Sequence, residues 1–169
     1  MAAVAVSVTL AISLPLVLVG VMRTHRQLPV QTGQAAPELA DALHAAPRRI
    51  VSTDPCLDAI LLHVADSGQI AAISHYARNP RTSTVAALAR NFPYTYATAE
   101  EVLALKPDLV LASAHTATAT RRALERMGIP VATFAVPATV EENLQQIRDV
   151  ARTVGHPARG EALAQRITA

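Results

Sequence analysis

The sequence predicts an α/β fold, a Rossmann-like parallel sheet of four strands flanked by helices. Two observations carry this. Residues 98–113, TAEEVLALKPDLVLAS, pack a helix, a hard stop and an apolar strand into sixteen residues. The same alternation of strand and helix then recurs along the chain, the signature of a parallel sheet covered on both faces.

Order begins at Arg48, and Arg49 to Ser52 reads as the first strand. Asp54 is a helix N-cap and Pro55 occupies the first helical position, where its missing N–H costs nothing. The helix that follows, Cys56 to Ala65, places Leu57, Ile60, Leu61 and Val64 on one face. Gly68 and Gln69 lead to the second strand, Ile70 to Ser74, then a loop from His75 to Thr82. Ser83 to Arg90 is weakly patterned, and Asn91 to Ala97 is short and extended, with Phe92, Tyr94 and Tyr96 on one side at period two. In the opening motif a helix capped by Thr98 runs to Leu105. Pro107 ends it, lacking an N–H and forcing Lys106 out of helical geometry. Leu109 to Ala112 is the third strand, Ala119 to Met127 a helix closed by Gly128, and Pro130 to Ala135 the fourth strand. Thr139 and Glu142 form a capping box for a helix ended by Gly155, and Pro157 starts a last one, Ala158 to Ile167.

Composition narrows the function. The chain is 51% hydrophobic but 3% aromatic, and its net charge is +2 with acids and bases interspersed. Nucleic-acid binding needs clustered cations with stacking aromatics, so no nucleic-acid partner is expected. Six histidines (25, 44, 63, 75, 115, 156) show no short-spaced pair, so no metal site is assigned. Glycine-rich phosphate loops are missing, as are G-x-S-x-G and H-E-x-x-H. Cys56, the single cysteine, sits where a helix N-terminus would lower its pKa, without a local His–acid pair to make it a nucleophile.

Residues 1–22 are uncharged and almost wholly apolar, long enough to span a bilayer of roughly 30 Å. They read as a signal peptide or a membrane anchor. No Lys or Arg precedes the run, whereas Arg23 and Arg26 follow it, a pattern that would keep the following side cytoplasmic. Residues 23–47 are a polar linker.

From Arg48 onward the chain resembles the N-terminal lobe of the helical-backbone (class III) substrate-binding proteins that serve vitamin B12, ferric-siderophore and haem ABC importers. An S-x-N/D-P turn is matched by Ser52 to Pro55, and a G-V-S-x-Y passage by Ala72 to Tyr76. E-x-V/I-x-A-L-K-P-D-L-V is matched by Glu100 to Val110, L-x-x-L-G-I-P-V by Leu124 to Val131, and G-x-P-E-x-A by Gly155 to Ala162.

The resemblance implies residues 48–155 as an N-terminal α/β lobe and 156–169 as the start of a truncated inter-lobe spine helix, the C-terminal lobe being missing. The short last helix is therefore expected to fray for want of a packing partner. It also implies a binding protein, not an enzyme. This would be the exported, periplasmic receptor of an importer, with an ABC permease and its ATPase subunit as partners. The alternative location is the inner membrane, anchored by residues 1–22. No cofactor is implied; the cargo would be a small-molecule metal chelate, namely cobalamin, a ferric siderophore or haem. Ligands of open parallel sheets sit at the carboxyl ends of strands. That places Pro55, His75, Tyr76, Tyr94 and His115 as ligand-binding candidates. Tyr76 is foremost, because its ring can lie on a corrin or porphyrin face and its hydroxyl can reach ferric iron. Glu100 is the implied permease-docking residue. A small Rossmann-like enzyme domain, or a non-binding membrane-anchored remnant, is the alternative reading.

Overall fold

The computed structural model describes residues 46–169; the expected signal or anchor over 1–22 and most of the linker lie outside the described residues. The elements run β1 (Ile50–Ser52), α1 (Pro55–Val64), β2 (Ile70–Ser74), a single 3-10 turn (His75–Arg78), α2 (Ala86–Ala89), β3 (Tyr94–Thr95) and α3 (Ala99–Ala104). They continue with β4 (Leu109–Ser113), α4 (Thr118–Arg126), β5 (Val131–Phe134), α5 (Val140–Thr153) and α6 (Pro157–Thr168). The sheet has five parallel strands in the order β3-β2-β1-β4-β5, with β1 in the centre. The expected α/β class holds, and the expected four strands become five. The added strand is Tyr94–Thr95, which pairs Ile73 and Ser74 at one edge.

Period two on the central strands sends side chains to opposite layers. Ile50, Leu109 and Leu111 pack with Leu57, Leu61 and Val64 of α1 and Ile147, Val150 and Ala151 of α5. Val51, Ala72 and Val110 face the other way, against Val102 of α3 and Leu124 of α4. Ile50, Val51, Val110 and Leu111 are fully buried, so the centre of the sheet is apolar on both faces.

The local stop signals work as their chemistry requires. Lys106 adopts φ +48° immediately before Pro107, which takes the chain out of α3 toward β4. Gly128 closes α4 at φ +76°, a conformation that side chains with a Cβ avoid. Thr139 Oγ1 accepts the Glu142 N–H, but the Glu142 carboxylate reaches back to the Ala138 N–H instead of that of Thr139.

Two expectations need correction. Phe92, Tyr94 and Tyr96 do not share a face, because the strand is only Tyr94–Thr95 and Phe92 lies outside it, before Pro93. Phe92 joins the core, whereas Tyr94 and Tyr96 stay exposed. The last helix, in turn, has partners within this lobe. Gly160 and Ala164 are buried against α5, where a Cβ on Gly160 would overlap that of Ala151. Arg148 and Glu161 bridge the same two helices. Arg159 ties the start of α6 to Asp66 and to the Val64 carbonyl, at the end of α1. Among the described residues no helix is long and apolar enough to cross a membrane.

Candidate functional site

All strands point the same way, so their carboxyl ends form one edge, and the loops leaving that edge carry the candidate residues. From one side to the other these are Tyr94 on β3 with Tyr96 just beyond it, His75 and Tyr76 after β2, Pro55 after β1 and His115 after β4.

The structure brings four of these rings together. His75 stacks obliquely on Tyr76 with centroids 3.8 Å apart, and on Tyr96 at 4.6 Å. Tyr94 meets Tyr96 edge-on at 5.7 Å. The result is a continuous aromatic shelf whose tyrosines stay 45–59% exposed, an open surface for a flat apolar face. The Arg78 guanidinium lies 4.6 Å from the Tyr94 centroid. It is held there by the carbonyls of Ala89, Arg90 and Phe92, so most of its donors are already used. His75, Arg78, Asn79, Tyr94 and Tyr96 line an open recess of about 340 Å³. His75 Nδ1 is buried and has no hydrogen-bond partner among the described residues. The Tyr96 hydroxyl has its pKa raised chiefly by its hydrogen bond with Tyr94.

Pro55 and His115 are not part of this shelf. Both are exposed on the same edge, and His115 stands on the far side of β1 from His75. A larger apolar groove of about 460 Å³ between α1, α5 and α6 contains none of the candidates. Among the described residues no three His, Cys, Asp or Glu side chains converge as a metal site.

Beneath the edge lies a layer of buried polar groups. Asp54 caps α1, accepting the N–H groups of Cys56 and Leu57, and also accepts the Ser113 hydroxyl at 2.5 Å. Thr53 and Thr116 share a hydrogen bond of 2.9 Å. Asp58, fully buried in the first turn of α1, accepts the Ser74 N–H at 3.1 Å and its hydroxyl at 2.5 Å. Burial pushes the Asp58 carboxyl up to about 7 and the charge of Asp54 adds to it, against the hydrogen bonds from Ser52 and Ser74. Cys56 is likewise pushed up, first by partial burial and then by Asp54 and Asp58. This corrects the expected lowering: partial burial, with two carboxylates adding to it, outweighs the helix terminus.

The adjacent acids of α3 part company. Glu101 turns inward, accepting the Thr95 hydroxyl at 2.7 Å and the Tyr96 N–H at 2.6 Å. Glu100 is exposed, with no hydrogen-bond or ion-pair partner among the described residues. The sequence gives no site role to Asp58 and reads Glu101 only as a first-turn acid that favours the helix dipole. A signal existed for each: Asp58 sits between buried Leu57 and Leu61 on α1, and Thr98-x-x-Glu101 is a capping pattern.

Comparison with known proteins places the family and the fold. Residues 50–169 match the profile of a family described as periplasmic binding protein. No curated protein matches the chain. Among solved structures, the periplasmic haem-binding protein of Roseiflexus sp. RS-1, in apo form, is 27% identical. The match covers 72% of this chain and 46% of that one, with a TM-score of 0.60. A periplasmic haem-binding protein from Pseudomonas aeruginosa is 24% identical over 72% of this chain and 43% of that one, with a TM-score of 0.57. The periplasmic vitamin B12-binding protein of Vibrio cholerae is 22% identical over 73% and 48%, with a TM-score of 0.58. The latter two likenesses speak for the fold alone. The chain spans less than half the length of each of these proteins.

Proposed function

The chain belongs to the periplasmic binding protein family, and on that premise we propose that it is the cargo-binding part of an ABC importer. The cargo would be a metal chelate with a flat organic face: haem, cobalamin or a ferric siderophore. The observation that carries this is the aromatic shelf of His75, Tyr76, Tyr94 and Tyr96 at the carboxyl edge of the sheet. Rings in van der Waals contact present a preassembled apolar surface, and the orphaned His75 Nδ1 offers a polar atom within it. Capture and delivery, with no covalent step, is the activity proposed, in the periplasm. Pro55 and His115 flank the shelf and would meet the periphery of a cargo broad enough to cross β1.

Glu100 is the proposed contact with the permease, whose ATPase subunit drives transport. Glu101 is committed to Thr95 and Tyr96, which leaves Glu100 as the acid of this pair that faces water. An exposed carboxylate on a rigid helix pairs with a cation on a partner and sets orientation more than raw affinity.

Titration of a two-lobed version of the protein with hemin, cyanocobalamin and a ferric hydroxamate tests the cargo assignment. One of the three is expected to bind, and Tyr76→Ala is expected to weaken it by about 1–3 kcal/mol. No binding of any of them, or an unchanged Kd in the variant, overturns the assignment.

A further inference from the structure

The shelf is built from two separate pieces of chain. His75 and Tyr76 ride on the 3-10 turn after β2, and Tyr94 and Tyr96 on the extended segment around β3. The Arg78 side chain reaches from the first piece to the Phe92 carbonyl and the Tyr94 ring of the second, but the backbone beside each ring takes a further anchor from outside its own piece. Ser74, at the cap position of the 3-10 turn, makes no side-chain cap to it. Its hydroxyl and its N–H go instead to the Asp58 carboxylate. The second piece is a two-residue strand running into a left-handed Ala97, too little ladder to fix a tyrosine. Here too a carboxylate supplies the anchor, with Glu101 taking the Tyr96 N–H and the Thr95 hydroxyl.

We propose that Asp58 and Glu101 are positioning residues that lock the two halves of the aromatic shelf into one binding surface. Each carboxylate sits on a helix packed against the sheet, Asp58 on α1 and Glu101 on α3. Each accepts the backbone N–H next to, or at, an aromatic residue of the shelf together with one neighbouring hydroxyl. Removing either acid would leave a backbone N–H unpaired and release one half of the shelf, while the central β1–β4 pairing would stay. Asn at 58 and Gln at 101 keep an acceptor oxygen in the same place, so the conservative variants should hold the shelf. The effect on ligand affinity rests on the cargo reading above; the positioning itself does not.

The composition supplies a clean probe. The chain has three tyrosines and no tryptophan, and all three tyrosines lie in the shelf, so tyrosine near-ultraviolet circular dichroism reads the shelf without any ligand. Asp58→Ala and Glu101→Ala are each expected to lose most of that band with the far-ultraviolet spectrum intact, whereas Asp58→Asn and Glu101→Gln retain it. A folded alanine variant with the wild-type band, or an Asn or Gln variant that loses as much as its alanine counterpart, overturns the proposal. Should Asp58→Ala fail to fold, Asp58→Val, which fills more of the space and is equally without an acceptor for the Ser74 N–H, takes its place, and a wild-type band in that variant overturns the Asp58 half. In the two-lobed version, with hemin or cyanocobalamin as probe, the alanine variants should bind about tenfold more weakly and the conservative ones like the wild type. Equal affinity in the alanine variants overturns the role in binding. If the wild type binds neither probe, the cargo reading fails while the spectra still decide the positioning.

Discussion

Replacing Gly160 by Ala tests whether α6 packs within this lobe as closely as the structure has it. The new Cβ would overlap the Ala151 Cβ and lie 3.2 Å from the Ile147 carbonyl oxygen and 3.4 Å from the Arg148 Cα. None of these atoms is the free end of a flexible side chain, so relief requires a shift of one helix. Overpacking of this kind costs about 1–3 kcal/mol. Opposing it, Ala is better than Gly inside a helix by about 1 kcal/mol. Steric overlap should win, leaving Gly160→Ala about 1 kcal/mol less stable in urea unfolding. A double-mutant cycle with Ala151→Gly isolates the contact, because that change removes the opposing methyl. The coupling energy should be at least about 1 kcal/mol in favour of the double variant. A Gly160→Ala protein that is more stable than wild type, with no coupling to position 151, would refute the close approach. The helix would then be free to lie elsewhere, as its length alone suggests.

Asp58→Asn should flatten the pH dependence of stability. The carboxyl pKa is about 7 in the folded chain against 3.8 as a free side chain, so the wild type loses stability as pH rises from about 4 to about 7, by up to about 4 kcal/mol, and then levels off. Identical slopes in the two proteins across that window would exclude a raised Asp58 pKa. Glu100→Arg, in a two-lobed version that transports, should abolish uptake with cargo affinity intact; normal uptake would remove the docking assignment.

The sequence carries the parts of this fold that short-range chemistry decides. Asp54-Pro55 at the start of α1, Lys106-Pro107 at the end of α3 and Gly128 after α4 act through one or two residues, and the structure has each in the expected role. The edge strand Tyr94–Thr95 is different in kind, since two residues carry no periodicity and become a strand only by pairing with β2. The same holds for the shelf. Tyr76 and Tyr94 could be picked out from strand ends, but their contacts run through His75 and Tyr96 across chain segments that no spacing links. Asp58 and Glu101 read as an unremarked helix residue and a favourable first-turn charge. Their partners, Ser74 and Thr95 with Tyr96, become visible only once the sheet is assembled. For α6, the small residues Gly160 and Ala164 were the overlooked sign of a close helix contact.

The strand order also governs how such a chain can fold. Every ladder in the sheet is parallel, so no hairpin gives it a local start, and Ile50 must find both Ile70 and, much later in the chain, Leu109. Loop closure precedes any reward from these contacts, which makes such topologies slow relative to helical bundles. During synthesis the central strand β1 emerges early but keeps one edge unpaired until β4 is complete at Ser113. Until then the growing chain exposes a hydrophobic strand edge to solvent, and a chaperone that shields such edges would act in that interval.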